Sequence, residues 1–384
     1  MKRNFSIAIV GGGITGLTLA ALLATGRQSE SMRVAVIDAG KRPGYRPGDE
    51  VSLRVSAIVN GSAAILDSVG AWSVIREHRV SPYEHMRVWD ESDAPDSDTA
   101  LRFDAAEFAT TQLGFITENR LIQHALLQVL DESDVELRYE TRIDALPEAD
   151  LVVGADGARS FVRELVGIAT EEWPYQQTAL VTHLETGLPH QATAWQRFLR
   201  SGPLGMLPLD DGRISVVWST APKLAEQALQ ADDETLGQML TEASDGVLGD
   251  LTVAGPRGAF PLSARHALNY TLPGVALVGD AAHAIHPLAG QGANLGLQDV
   301  AELARVLEAA VDAGEYPGDR PVLRRYERKR KGANLTMLHL MTGLNRLFAS
   351  ESAVLGEIRA AGMKLFNHSG LVREHAVKVA LGVK

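Results

Sequence analysis

Phe5-Ser6-Ile7-Ala8-Ile9-Val10-Gly11-Gly12-Gly13-Ile14-Thr15-Gly16, carried on by the apolar run Leu17 to Leu23 and by Arg33-Val34-Ala35-Val36-Ile37-Asp38, decides the fold. Phe5 to Val10 has the length and apolarity of a strand buried in a parallel sheet. A glycine turn, an apolar helix and a second strand follow within forty residues, which makes a β-turn-α-β unit. In Gly11-x-Gly13-x-x-Gly16 the first glycine permits the tight turn. The second lets main chain approach a pyrophosphate, and the third lets the helix pack closely on the strand. The helix N-terminus, with Ile14 and Thr15 in its first turn, then faces phosphate charge. Asp38 lies 22 residues beyond Gly16, placed to accept hydrogen bonds from an adenosine ribose. The structural alternative is a glycine-rich turn with an ordinary strand-end aspartate. The strand before, the helix after and the acid at this spacing weigh against it.

The chain has 384 residues, 45% hydrophobic and 22% charged, an ordinary composition for a folded globular protein. At roughly 150 residues per domain it holds two to three domains, or one α/β body with a smaller lobe. A net charge of -11 argues against a general nucleic-acid binder, which needs a basic face to release counterions. The absence of cysteine excludes disulfides, thiolate nucleophiles, zinc-cysteine sites and cysteine-held iron-sulfur clusters. No apolar run reaches the roughly 18 to 20 residues of a membrane-spanning helix. Met1-Lys2-Arg3 and the apolar stretch after it outline a signal peptide, but Gly11, Gly12, Gly13 and Gly16 interrupt it. The expectation is therefore a cytoplasmic protein.

A second texture occupies residues 85–115 and 172–265. Met86-Arg87-Val88-Trp89 and Leu101-Arg102-Phe103 alternate as half-exposed strands do. Gly205 to Leu209 and Arg213 to Trp218 flank Asp210-Asp211-Gly212, which predicts a β-hairpin. Leu151-Val152-Val153 and Val275 to Val278 read as further buried parallel strands, and the pattern from Asn294 onward is mostly helical. The expected fold is α/β: a Rossmann-like body from 1–84, 116–171 and 266–320, an inserted antiparallel-sheet substrate domain from 85–115 and 172–265, and a C-terminal helical region at 321–384.

Two more motifs carry chemistry. Gly154-Ala155-Asp156-Gly157-Ala158-Arg159-Ser160-Phe161-Val162-Arg163 follows a buried strand; alone it reads equally as a strand-to-helix loop capped by Ser160. Gly279-Asp280-Ala281-Ala282-His283-Ala284-Ile285-His286-Pro287-Leu288-Ala289-Gly290-Gln291-Gly292-Ala293-Asn294 is the most informative. Asp280 ends a strand and is placed to accept a hydrogen bond from a ribityl hydroxyl. Gly290 and Gly292 let main chain approach a flat ring, and the helix beginning near Ala293 aims N–H groups at anionic charge on a reduced flavin. His283 and His286 stand three apart, but Pro287 and the scarcity of nearby carboxylates argue against a metal. No GxSxG elbow supports a hydrolase.

Together these motifs resemble the FAD-dependent aromatic hydroxylases of the para-hydroxybenzoate hydroxylase type. The run His286 to Gly296 with Asp299 resembles the signature of the ubiquinone-biosynthesis hydroxylases, the UbiH/UbiF/VisC family, over nearly the whole chain. Arg54 to Ile58, Met86 to Asp90, Thr117-Glu118-Asn119 and Arg325 to Arg328 resemble the VisC (UbiI) branch. The resemblance implies an FAD monooxygenase that hydroxylates a prenylated phenol, at ring C5 for that branch, with O2 as co-substrate and a flavin C4a-hydroperoxide as oxidant. It implies that Gly11, Gly13, Ile14, Thr15, Gly16 and Asp38 hold the ADP half of FAD. Arg54, Asn119 (or its neighbour Arg120) and Asp156 would meet the middle of the cofactor. Asp280, Pro287, Gly290, Gln291, Gly292, Ala293 and Asn294 would hold the ribityl chain and ring. His286 is the candidate catalytic base, with support of the loop as its structural alternative. A single GxGxxG leaves NAD(P)H to bind transiently as electron donor, or electrons to come from a partner. Tyr139 to Asp150 is shorter than in relatives, which carry an extra hairpin there.

Arg324, Arg325, Arg328, Lys329, Arg330 and Lys331 form a basic cluster, followed by Met337, Leu338, Leu340, Met341, Leu344, Leu347 and Phe348 at near-helical spacing. A solvated face followed by core packing is the favoured reading. The other is peripheral contact with an anionic membrane or a ubiquinone-biosynthesis protein complex. Two further functions fit the motifs: a flavoprotein acting on an isoprenoid without oxygen insertion, and a non-catalytic scaffold that keeps the fold.

Overall fold

The computed structural model describes residues 4–286, 291–350 and 352–382. Phe5–Val10 and Met32–Ile37 pair in parallel as the periodicity requires, with Leu151–Gly154 on the other side of Phe5–Val10. Val275–Leu277 and Glu136–Arg138 extend the parallel sheet at either end, and Thr271–Leu272 adds an antiparallel edge. Ile14–Thr25 is apolar around most of its circumference and so must be buried on more than one side. It packs against both Asn119–Asp131 and Gln291–Asp312. Asn119–Asp131 is amphipathic and buries Leu121, Ile122, Ala125, Leu126, Leu127 and Leu130 along one stripe. Tyr139 to Asp150 crosses to the next strand as coil.

The second sheet has nine strands, with Thr170–Thr186 paired to Gly258–Ala267, Ile214–Thr220 and Leu251–Val253. The hairpin at Asp210-Asp211-Gly212 forms between Gly202–Pro208 and Ile214–Thr220, with Gly212 at φ 87°. One pairing departs from the antiparallel expectation: His85–Asp90 lies parallel to Thr193–Leu199. These strands come from segments a hundred residues apart, so no tight turn dictates their direction. One face of this sheet packs Leu180, Leu184, Leu204, Met206, Ile214, Val216 and Trp218 against Leu236 and Leu240. The alternate residues turn the other way. There His183 reaches the body through Ser52 O at 3.2 Å, while Val181, Val217, Gly205 and Leu207 stay half-buried in mid-sheet.

The segment carrying the third motif belongs to both sheets. Val275–Leu277 lies in the parallel sheet, and His283–Ala284 pairs with Gly258–Ala267 in the other. Gly279–Ala282 therefore sits at their junction. The basic cluster divides. Arg330 is buried, Arg325 pairs with Glu315, and Arg324, Arg328 and Lys329 are exposed. Of the apolar run after it, Leu338 and Phe348 are buried and Leu340 is exposed.

A Cβ on Gly16 would lie 2.0 Å from the Gly11 carbonyl oxygen. Gly16→Ala is expected to cost roughly 1–3 kcal/mol by forcing helix and strand apart. Chemical denaturation measures this, and an unchanged midpoint would refute the packing argument.

Candidate functional site

Gly11 adopts φ 113°, and a Cβ there would meet the Ala155 carbonyl oxygen at 2.3 Å. Its N–H donates to Ile37 O at 2.8 Å, closing the turn. Gly13 is the opposite case: a Cβ there meets nothing within 4 Å. Gly13 also caps Ile14–Thr25 without any side-chain cap. The helix thus opens its N-terminus onto free space at the one glycine where a phosphate would have to approach. Asp38 stands beside this opening. Its carboxylate accepts from Gly12 N at 2.5 Å and Gly40 N at 2.7 Å, which fixes it at the strand end. Gln123 Nε2 donates to Gly12 O at 3.1 Å. Sequence reasoning missed Gln123, since a half-buried glutamine in an amphipathic helix carries no signal of its own.

The second motif folds as a loop and a short helix. Ser160 is the cap, its Oγ accepting from Arg163 N at 3.0 Å, as the structural alternative required. The rest of the motif does more. Arg163 is buried and donates to Ala281 O at 2.8 Å and Ala158 O at 3.0 Å, tying the second motif to the third. Asp156 Oδ2 accepts from Val162 N at 3.0 Å, while its Oδ1 is buried without a hydrogen-bond partner.

Thr15 joins the first motif to the third. Its Oγ1 lies 3.1 Å from where a Cβ would stand on Gly279 and 2.7 Å from where one would stand on Gly296. Asp280 follows, open to solvent yet enclosed by protein on its remaining sides, as a residue in a cleft wall is. That enclosure raises its pKa, against the opposing charges of His283 and Arg54. Arg54 is exposed, and its carbonyl accepts from Asn119 N at 3.0 Å. Asn119 Oδ1 in turn accepts from Ser56 Oγ at 2.6 Å. Arg54, Asn119 and Asp280 therefore border one cleft.

Beneath it lies Asp299, fully buried. Its carboxylate accepts from Gly279 N at 3.1 Å, His283 Nε2 at 2.5 Å, Arg330 Nε at 2.7 Å and Asn334 Nδ2 at 2.9 Å. Burial alone would raise its pKa; His283, Arg330 and Asn334 outweigh that and hold it below the usual carboxylate range. His283 is thereby committed to Asp299. His286 is buried, with Nε2 on Gln177 Oε1 at 3.1 Å and its ring edge-on to Tyr175 at 4.7 Å. Among the described residues its Nδ1 has no partner, and burial pushes its pKa down to about 4, so it is neutral at pH 7. The Asn294 amide is buried, accepting from Val59 N at 3.1 Å and donating to Ala57 O at 2.8 Å. Pro287 and Gly290 lie outside the described residues. Gln291 opens the helix Gln291–Asp312, with Gly292 and Ala293 in its first turn. Among the described residues a Cβ on Gly292 meets nothing within 4 Å.

A glycine turn with room at Gly13, joined through Thr15 to the stretch that carries the exposed carboxylate of Asp280, fits a dinucleotide. A family model described as FAD binding domain matches residues 93–339, and one described as NAD(P)-binding Rossmann-like domain matches residues 9–66. The chain is 35% identical to the 3-demethoxyubiquinol 3-hydroxylase of Escherichia coli, over 98% of each protein. The chain belongs to the ubiquinone-biosynthesis hydroxylase family. It is 34% identical to the ubiquinone biosynthesis monooxygenase COQ6, mitochondrial, of Danio rerio, over 98% of this chain and 89% of that one. The p-nitrophenol 4-monooxygenase PnpA of Pseudomonas putida shares the fold at a TM-score of 0.75 and 19% identity, over 99% of this chain and 97% of that one. Membership makes the protein an FAD-dependent monooxygenase with NAD(P)H as electron donor. Among the described residues no helix is long and apolar enough to cross a membrane.

His266, hydrogen-bonded to the Tyr270 hydroxyl at 3.2 Å, is also held at a pKa of about 4, mainly by burial. Both rings are neutral in the folded protein, whereas in the unfolded chain they titrate near 6.5. Between about pH 4 and 6.5 the unfolded chain binds more protons, so stability is full above that window and falls as pH drops through it. His286→Gln is expected to flatten the fall of melting temperature across the window. A slope equal to that of the wild type would contradict the buried neutral ring.

Proposed function

We propose that the protein hydroxylates the aromatic ring of a prenylated phenol in ubiquinone biosynthesis. The single observation that supports this reading is that Thr15, two residues after Gly13, packs against Gly279 and Gly296, the stretch that carries Asp280 and Gly292. The body of 1–84, 116–171 and 266–320 holds FAD. The lobe of 85–115 and 172–265 receives the substrate, and residues 321–384 brace the two. Gly11, Gly13, Ile14, Thr15 and Gly16 take the pyrophosphate on the helix N-terminus, and Asp38 takes the ribose. Arg54, Asn119 and Asp156 border the middle of the cofactor. Asp280 holds the ribityl chain, and main chain from Pro287 and Gly290 through Gln291, Gly292, Ala293 and Asn294 lies along the ring.

FAD, once reduced by NAD(P)H, supplies the oxygen activation, and O2 supplies the inserted atom. The chain's own groups orient and exclude water. The helix N-terminus at Gly292 favours negative charge placed before it. Val181, Val217, Gly205 and Leu207 form an uncharged wall opposite the body, suited to an apolar ring and tail and to a dry site. We assign His286 a positioning role, because a ring with a pKa near 4 is a poor proton acceptor at neutral pH. Arg54 to Ile58 and the other segments of VisC type favour ring C5. The Escherichia coli relative is named for a 3-hydroxylation, and analysis of the product separates the two positions.

Asp280→Ala is expected to weaken FAD binding by about tenfold or more with little change in circular dichroism. Gly13→Val is expected to abolish binding by filling the space a pyrophosphate needs. Unchanged affinity in both variants would refute the cofactor assignment. With 18O2 and a prenylated phenol, the wild type is expected to place one labelled atom in the product. A redox product without label would favour an isoprenoid oxidoreductase, and no turnover of reconstituted protein would favour a scaffold.

A further inference from the structure

Residues directly opposite one another across the strands of the large sheet share a face. One row runs Gly258, Val181, Val217, Gly205, Gln196, Val88. Its first four members are half-buried, and Val181, Val217 and Gly205 belong to the uncharged wall described above. Gln196 lies on the same face, because its chain neighbours turn the other way: Trp195 packs on the core of the lobe, and Arg197 donates to Ala243 O at 3.1 Å. Gln196 is 7% exposed. Its side-chain amide makes no hydrogen bond to a described residue. A buried amide left unpaired opposes folding, and a leucine would fill the same volume without that cost.

Gly205, directly across from Gln196, leaves the amide room. Among the described residues a Cβ on Gly205 would meet only Val217 O, at 3.8 Å. A large side chain there would stand against the amide. The opposite flank of Gln196 is closed: Val88 is buried, Phe198 stacks on Phe348 at 4.0 Å, and the helix Arg320–Ala349 packs on Thr193–Leu199 and Gly202–Pro208. The amide is therefore approached from the half-buried middle of the sheet, over Gly205. Its chemistry sets what it can hold. Oε1 accepts, Nε2 donates, and neither carries charge. No charged side chain stands in the row to balance an anion. An uncharged oxygen that keeps its proton, as on a neutral phenol, matches both the amide and the apolar row beside it.

We propose that the Gln196 amide, reached over Gly205, holds a ring oxygen of the substrate and selects the neutral phenol. The proposal deepens the substrate reading above and rests on it. The test is isothermal titration calorimetry of the FAD-loaded full chain without NAD(P)H. The probes are a phenol with a short prenyl chain and the matching prenylated benzene, which lacks the hydroxyl. The wild type is expected to prefer the phenol by about tenfold or more. Gln196→Leu is expected to abolish that preference, with affinity for the benzene, FAD content and substrate-free melting temperature no lower than in the wild type. Gly205→Leu is expected to weaken the binding of both compounds by about tenfold or more, since it fills the approach. A lower melting temperature of substrate-free Gln196→Leu would make the amide a support of the fold and overturn the proposal. So would a wild type without preference, a preference that survives in Gln196→Leu, or unchanged binding by Gly205→Leu. Binding of neither compound by the wild type would overturn the substrate reading together with this one. Labelled oxygen entering the phenol at the same KM in Gln196→Leu as in the wild type would overturn this one alone.

Discussion

Asp299 is the point on which the site hangs. One buried carboxylate receives the Gly279 N–H, a histidine from the strand His283–Ala284, and an arginine and an asparagine from the long helix Arg320–Ala349. A charge in that position is tolerable only when paired and fully hydrogen-bonded. The requirement is mutual: leaving out any donor would strand the others. The Gly279 turn, which sets the direction of Asp280, is therefore held from below by an element that begins some forty residues later. The C-terminal region is part of the cleft's foundation even where it does not line it.

Two smaller constraints align the remaining motifs with this anchor. Thr15 fills the gap between Gly279 and Gly296, so the dinucleotide turn and the third motif keep a fixed distance. Arg163 reaches Ala281 O from the loop after Leu151–Gly154. Three stretches far apart in sequence thus meet through one hydroxyl, one guanidinium and one carboxylate. Under the proposed function the half-buried apolar face of the large sheet lies opposite the cleft. A cofactor groove and a dry wall beside each other are what ring hydroxylation asks of a protein.

The first unit was legible because its signals are local. The strand, the turn, the helix and the acid lie within forty residues, and Gly11 and Gly16 have the steric reasons their positions suggested. The Asp210-Asp211-Gly212 hairpin was legible for the same reason. Pairings between distant segments were not. Nothing in His85–Asp90 announces a parallel partner at Thr193–Leu199. Arg330 sits in a run of basic residues, which looks like a solvated face, and its buried partner is 31 positions away. Asn294 matched a cofactor motif, yet its amide clamps the strand Val55–Val59. A motif locates a conserved-looking turn; it does not say whether side chain or main chain does the binding.

The central claim is that the three glycine-and-aspartate stretches grip one FAD. A crystal structure of the FAD-loaded protein tests it most directly. The account expects one dinucleotide, with its pyrophosphate against Gly13, its ribose on Asp38 and its ribityl chain beside Asp280. A flavin lodged elsewhere, or one that leaves Gly13 and Asp280 both untouched, would contradict it.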